Sequence, residues 1–360
     1  MIVPRPATEA GTSSSRNLVG IEVARGVAAS LVVLYHAARH VDKNFGAPLL
    51  RELLQFGHAG VDLFFVISGF IILHVHYNDI GNPARLGRYT RRRCTRLLPT
   101  YWVALAVTIL MVLAGGNRAV SLPDIAWSVS LLPSNRELIL GVAWTLRFEI
   151  LFYVLFGVLI ANRGIGLAML AVWFAASAIC TLLPPQPEWL PAQFYGTYNL
   201  EFLMGMAVAY ALRHYPIARP RALFWAAMVL LAAAASLENL GYLDGYANIA
   251  RFAYGIPSAM LILAIAVLSA RGAMKAPLLL RVLGSASYSI YLFQFVFIGI
   301  VWHLLTASGL DQIMSRFAQF ALLASVALIG AVLTSMWVEH PLIRWLRGPR
   351  QARPVTPGVG

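Results

Sequence analysis

Charge is what this chain has least of. Of its 360 residues only 12% are Asp, Glu, Lys or Arg, about half of the roughly 25% usual in a soluble globular domain. Lysine is nearly missing: Lys43 and Lys275 are the only two among 28 basic residues. Cysteine is scarce as well. Cys94 sits in a basic stretch and Cys180 in an apolar run, so neither a disulfide framework nor a cysteine metal site can be built. The shortage of charge excludes a cytosolic enzyme, and a 59% hydrophobic content excludes disorder. What is present is a series of long apolar runs, the pattern of a polytopic membrane protein.

The net charge of +13 is the one feature that points toward nucleic acid. Nucleic-acid binding needs the basic excess gathered on a polar module, and no polar module exists here. Arginines in cytoplasmic loops explain the excess better. Runs of roughly 17–25 apolar residues occur at 18–40, 60–77, 97–115, 141–161, 165–183, 198–213, 222–237, 251–270, 284–305 and 317–338, the sixth and seventh being short. The expected fold is all-α: a polytopic membrane helix bundle of about ten transmembrane helices. Residues 1–17 read as a disordered cytoplasmic tail, 18–338 as the membrane domain and 339–360 as a cytoplasmic C-terminal tail. The first span contains Arg25 and Arg39 and no A-x-A-like cleavage site, so it reads as retained rather than as a signal peptide. With the N-terminus inside, 19 Lys/Arg fall in inside segments, 6 in outside segments and 3 within spans. That bias places both termini in the cytoplasm. No internal repeat supports an inverted-repeat transporter.

Ionisable groups inside spans are costly unless paired or hydrated, so each is a functional candidate. They are Glu22, Arg25, His36, Asp62, Arg147, Glu149 and Glu201, while Arg39, His40, His74 and His76 lie near span ends and fit snorkelling. Arg25 and His36 are 11 residues apart, close to three turns, which puts them on one helix face about 16 Å apart. An Arg25–Glu22 pair is the structural alternative. Counted from the outer end of their spans, Glu149 lies about 12 Å deep and His36 about 8 Å. With Asp62 they form a possible acid/base constellation, against which stands a purely structural Arg147–Glu149 or Arg–Asp network. The basic loop 85–96 contains Arg85, Arg88, Arg91, Arg92, Arg93 and Arg96. It is either positive-inside topology or a cytosolic anion site. Arg93 and Arg96 at i, i+3 could grip the phosphates of coenzyme A, or lipid headgroups. For metal, His36–His40 and His74/His76 lack a second acidic or cysteine ligand at a fitting interval.

Six stretches in order resemble the acyltransferase 3 family of integral-membrane O-acyltransferases, most closely its exopolysaccharide-modifying members. They are Arg25-Gly26 through His36, Gly60-Val61-Asp62-Leu63-Phe64-Phe65-Val66-Ile67-Ser68-Gly69-Phe70, Arg93-Cys94-Thr95-Arg96-Leu97-Leu98-Pro99, Trp144-Thr145-Leu146 with Glu149 and Phe152-Tyr153, Ser287-Tyr288-Ser289-Ile290-Tyr291-Leu292, and Glu339-His340-Pro341. Gln294 stands where many members carry a His. No Gly-Asp-Ser nucleophile segment of an appended esterase-like domain appears, so a stand-alone membrane transferase is expected.

The resemblance implies transfer of an acyl group, usually acetyl from acetyl-CoA, to a carbohydrate hydroxyl, in an exopolysaccharide or its lipid-linked precursor. Expected partners are this donor, the carbohydrate acceptor, membrane lipids and polysaccharide biosynthesis machinery, in a bacterial inner membrane, with no nucleic acid. Arg93, Arg96 and Arg92 would hold the donor. His36 would be general base, Arg25 would position the donor or stabilise carbonyl charge, and Glu149 or Asp62 would orient the imidazole or bind sugar hydroxyls. Asp62, Ser68, Trp144 and Tyr288 would contact substrate. An acyl-histidine intermediate is the mechanistic alternative. A glycolipid or polysaccharide transporter or flippase, or a scaffold of an export complex, could use the same intramembrane charges.

Overall fold

The computed structural model describes residues 19–115, 119–183 and 187–347. The tail expected at 1–17 and residues 348–360 of the one expected at 339–360 lie outside the described residues. Ten long helices dominate: α1 (Val19–Phe45), α2 (Gly60–His76), α3 (Leu86–Gly115), α4 (Trp144–Ala161), α5 (Arg163–Leu182), α6 (Tyr198–His214), α7 (Pro220–Asn239), α8 (Asn248–Ala270), α9 (Leu278–Ser308) and α10 (Arg316–Thr334). No strand occurs among the described residues. Among the described residues nine helical stretches are long and apolar enough to cross a membrane, as expected of an all-α polytopic bundle. The stretch expected at 198–213 does form a helix, α6, but its 17 residues fall short of the usual span of about 20. One side of it, with Leu203 and Tyr210, is nevertheless exposed as on the other long helices. Its polar residues Asn199 and Glu201 are buried, facing neighbouring helices and not lipid.

Local signals set several helix starts. The Asn162 side chain accepts from the Ile165 amide at 3.0 Å and the Ser315 hydroxyl from the Ala318 amide at 3.2 Å, each capping orphan N–H groups of the first turn. Pro220 opens α7, where its missing N–H costs nothing. Three boundaries differ from expectation. α3 begins at Leu86, so the arginine-rich stretch is its first three turns and not a loop. Arginine is a good helix former, and no glycine or proline interrupts 88–98. α9 begins six residues before the apolar run, at Leu278. α10 passes through a wide π-turn, Ser335–Glu339, into a final helix, His340–Arg347.

The central helices are α1, α2 and α9, with α6 laid along α2 and α10 along α9. Two glycine crossings make this possible. A Cβ on Gly69 would collide with the Phe202 carbonyl, and one on Gly205 with the Val66 carbonyl, so α2 and α6 touch backbone to backbone. Gly26 of α1 and Gly284 of α9 meet in the same way, with a Cβ on Gly26 only 2.6 Å from the Gly284 nitrogen. Small residues at crossings are how membrane helices gain van der Waals contact when no hydrophobic drive separates them from lipid.

Candidate active site

A cleft with about 840 Å³ of empty space, part of it open to solvent, lies between α1, α2, α3, α4 and α9. Each helix contributes polar groups to an otherwise apolar wall: Arg25, Ser68, Arg93 with Arg96, Glu149 with Tyr153, and Ser287 with Tyr288. The Gly26–Gly284 crossing explains how Arg25 and Ser287 come to share it. Each stands within one turn of that contact.

Glu149 is held from two sides. Ser68 Oγ donates to its Oε1 at 3.2 Å, and the Tyr153 hydroxyl donates to the same oxygen. Tyr153 sits one turn after Glu149 on α4, so this bond follows from i, i+4 spacing. Arg25 turns into the cleft, where its charged neighbours are Arg96, Glu149 and Glu339. Glu22 is exposed and forms no ion pair with it among the described residues. Glu339 is placed by the π-turn: Ser289 Oγ donates to its Oε2 at 2.6 Å and Ser335 Oγ at 3.0 Å. Wide turns of this kind are frequent at functional sites.

Arg93 is clamped. Its guanidinium carbon lies 6.0 Å from the Tyr89 ring centre and 5.7 Å from that of Tyr153, within cation–π range. Its Nη2 reaches His76 Nε2 at 3.2 Å, and His76 Nδ1 lies 2.8 Å from Asp79 Oδ2. A proton on Nδ1 satisfies both contacts at once. Its Nε is buried and free of any partner. Snorkelling, expected for His76, is not what the structure shows. The ring is 2% exposed and serves as the bridge that fixes Arg93. Tyr288 donates to the Leu97 carbonyl at 2.8 Å, tying α9 to α3 at the cleft wall. Ser287 Oγ has no partner. Gln294 donates to the Tyr291 carbonyl at 2.8 Å, and its Oε1 is unpartnered.

Other sequence-selected residues lie elsewhere. His36 is not a wall residue of the cleft. Its ring packs 4.6 Å from Phe295 and 4.9 Å from Tyr35. Tyr291, which does line the cleft, is one turn before Phe295 on α9, so the cleft ends about 6 Å of helix rise short of the histidine's level. Asp62 is fully buried away from the cleft, with Arg251 Nη1 2.6 Å from its Oδ1. Glu201 lies beside that pair. His36, Asp62 and Glu149 therefore take separate partners instead of meeting in one constellation. Trp144 packs among the rings of Phe65, Phe148 and Tyr198. Arg92 is exposed on the outer side of α3. Arg147 does not pair with Glu149, because residues two apart point to different sides of a helix. It donates instead to the Ser134 and Arg136 carbonyls at 2.9 and 2.5 Å, pinning the loop before α4.

Several residues escaped the sequence reading. Arg251, His58 and Glu238 stood at or just beyond the assumed span ends. His58 Nε2 lies 2.8 Å from Glu238 Oε1, and Tyr254 donates to Glu238 Oε2 at 2.5 Å. The acyltransferase 3 description, "Acyltransferase domain", matches residues 18–336. The chain belongs to the acyltransferase 3 family. It is 31% identical over 339 residues to the exopolysaccharide production protein ExoZ of Rhizobium meliloti (strain 1021), covering 91% of this chain and 98% of that protein. It is also 29% identical over 165 residues to a Staphylococcus aureus (strain COL) protein named "Putative O-acetyltransferase SACOL0978". That match covers 41% of this chain and a quarter, 25%, of the longer relative. No solved structure matches. The protein is thus an integral, multi-pass membrane acyltransferase, and its cleft is where five helices of the family domain bring their polar groups together.

Proposed function

We propose that this acyltransferase moves an acetyl group from cytosolic acetyl-CoA to a hydroxyl of a carbohydrate acceptor, an exopolysaccharide or its lipid-linked precursor, in a bacterial inner membrane and alongside the machinery that makes the polymer. The observation that carries the reading is the cleft itself: three arginines and one doubly held carboxylate, on three helices, in a largely apolar wall. Both termini are assigned to the cytoplasm, from the arginine bias of the loops. The mouth near the first turns of α3 then faces the donor.

Arg93 and Arg96, with Arg92 at the rim, bind the donor's phosphates as bidentate forks. The thioester arm passes Arg25, whose guanidinium stabilises the negative charge that develops on the carbonyl oxygen. His36 takes the proton of the acceptor hydroxyl. The freed oxygen attacks the carbonyl carbon, the C–S bond breaks, and the thiolate of coenzyme A leaves. His36 packs on Phe295, one turn beyond Tyr291 of the cleft wall, so the acceptor hydroxyl is the group that reaches past that turn for this step. Glu149 receives hydrogen bonds from sugar hydroxyls, as it does from Ser68 and Tyr153. Tyr288 and Ser287 line the same passage, and Asp62 and Trp144 fix the helix ends around it.

Purified protein in nanodiscs is incubated with labelled acetyl-CoA and acceptor glycan, and ester formation is followed. Transfer by the wild type that is lost in Arg25→Ala and His36→Ala, both correctly inserted, is expected. Glycan movement across the membrane without any ester formed would overturn the proposal in favour of a transporter.

A further inference from the structure

The end of α1 away from Arg25 carries a second polar assembly, built around Arg39. This arginine follows His36 by three residues, so the two side chains leave adjoining faces of the helix with Cβ atoms about 5–6 Å apart. Arg39 and His58 are the charged neighbours of the His36 ring. Snorkelling, expected for Arg39, is not what its contacts show. Its Nη1 donates to the Tyr35 hydroxyl at 2.6 Å and to the Tyr246 hydroxyl at 2.9 Å, and the two phenols are hydrogen-bonded to each other. Tyr35 is 4% exposed, so the guanidinium folds back over the bundle instead of reaching out toward lipid. Tyr246 is 55% exposed and belongs to the non-helical turn 240–247, and irregular backbone of this kind sits where water or protein can satisfy it. Arg39 is exposed beside that turn. Only Nη1 is engaged. The other edge of the fork, Nε with Nη2, stays open.

No acid neutralises this cation. Among the described residues Arg39 forms no ion pair, because the acids near it in sequence or in space are taken elsewhere. Asp42 and Glu52 lie 3.3 and 3.7 Å from Arg51. Asp244 accepts from the Tyr246 amide at 2.9 Å, and Glu238 lies 2.8 Å from His58. Lys43, one turn beyond Arg39 on the same face of α1, is exposed and adds a second positive charge. A guanidinium held by two phenols, with its side-on edge open and its charge unbalanced, matches the planar fork of a carboxylate. It stands one turn from the group that takes the acceptor's proton. We propose that Arg39 binds a carboxylate of the acceptor, so that the glycan acylated is an acidic one, with its anionic group on the acylated sugar or the next in the chain. The inference rests on the acyl-transfer reading with His36 as base, and it narrows the acceptor from carbohydrate at large to carboxylate-bearing carbohydrate.

The full-length protein in phosphatidylcholine nanodiscs is titrated calorimetrically, without acetyl-CoA, with a trisaccharide ending in glucuronic acid and with its carboxyl-reduced counterpart ending in glucose. The wild type is expected to bind the acid about tenfold more tightly, one decade in Kd, and Arg39→Gln to bring that ratio close to one. Tyr246→Phe removes one of the two hydroxyls that hold the guanidinium, should lower the ratio about threefold, and serves should the first variant insert poorly. In transfer assays the same ratio should appear between the KM values of the two sugars and vanish in Arg39→Gln. A merely structural arginine would move both sugars alike. Equal binding of the two sugars by the wild type, or an Arg39→Gln variant that weakens both by the same factor, would overturn the assignment. Displacement of the bound acid by an equal concentration of a short-chain phosphatidylglycerol would overturn it too, giving Arg39 to a lipid headgroup. An Arg39-dependent preference in binding, with no ester formed from either sugar, would instead overturn the acyl-transfer reading, so the two failures are distinguishable.

Discussion

Replacing Arg251 should damage this protein more than replacing the acid it pairs with. Asp62 and Glu201 are 0% exposed and Arg251 is 2% exposed. They join α2, α6 and α8 at one point. Arg251 also donates to the Tyr198 hydroxyl at 3.1 Å and to the Gly245 carbonyl. In Asp62→Asn the second carboxylate, Glu201, is still there to balance the guanidinium, so the loss is that of one charge-assisted hydrogen bond, about 1.5–3 kcal/mol. In Arg251→Met the two neighbouring carboxyl groups lose the guanidinium that Asp62 pairs with, and breaking a buried pair from one side costs about 3–5 kcal/mol. The triple change Asp62→Asn, Glu201→Gln, Arg251→Met removes every buried charge of the cluster and should recover much of that loss, because a neutral cluster has no desolvation penalty to offset. Thermal unfolding in detergent, followed by tryptophan fluorescence, checks the order. Arg251→Met is expected to lower Tm by roughly 5–10 °C, Asp62→Asn by less than half as much, and the triple variant by less than Arg251→Met alone. Equal losses for the two single variants, or a triple variant as unstable as Arg251→Met, would refute the argument that unpaired charge governs this site.

Three further outcomes are expected. Tyr153→Phe leaves Glu149 with one donor instead of two and should lower kcat about tenfold, the worth of one hydrogen bond to a charged group, while Tyr153→Ala also unclamps Arg93 and should raise the donor KM as well; steady-state kinetics separate the two. Gly205→Leu forces a side chain into the Val66 carbonyl and should abolish accumulation of folded protein on size-exclusion chromatography, with Gly205→Ala already measurably destabilised. The Arg93→Ala, Arg96→Ala double variant should weaken coenzyme A binding by more than the sum of a salt-screened surface pair, and calorimetry at two salt concentrations would show a flatter salt slope than the wild type.

The spans were legible because hydropathy alone sets them, and the all-α bundle follows from that. The cleft was legible in part. Arg25, Ser68, Arg93, Arg96, Glu149 and Tyr288 were singled out from separate helices, and all of them line one space. Depth along a span did not predict who would meet whom. Glu149 and Asp62 were both assigned to the outer half, yet Glu149 faces Arg25 and Asp62 faces Arg251, because helix rotation decides direction and a sequence without a partner helix does not fix rotation. Arg251, His58 and Glu238 were missed for a different reason. A hydropathy window trims charged residues from its ends, so the polar groups most deeply used there were assigned to loops. The helical start of α3 was hidden in the same way, since a run of arginines lowers the apolar score without weakening the helix.

The wide turn at Ser335–Glu339 has a consequence for how this gene can vary. One extra residue is accommodated in that turn, and it sets which way the following carboxylate points. Deleting any single residue between 335 and 338 would let a regular helix re-form and change the angle at which Glu339 meets Ser289. Such a deletion would keep every polar residue of the cleft in place and still move a carboxyl group that neighbours Arg25. Length is therefore under constraint at a position where composition is not: Met336 and Trp337 face outward and are open to exchange, but their number is not.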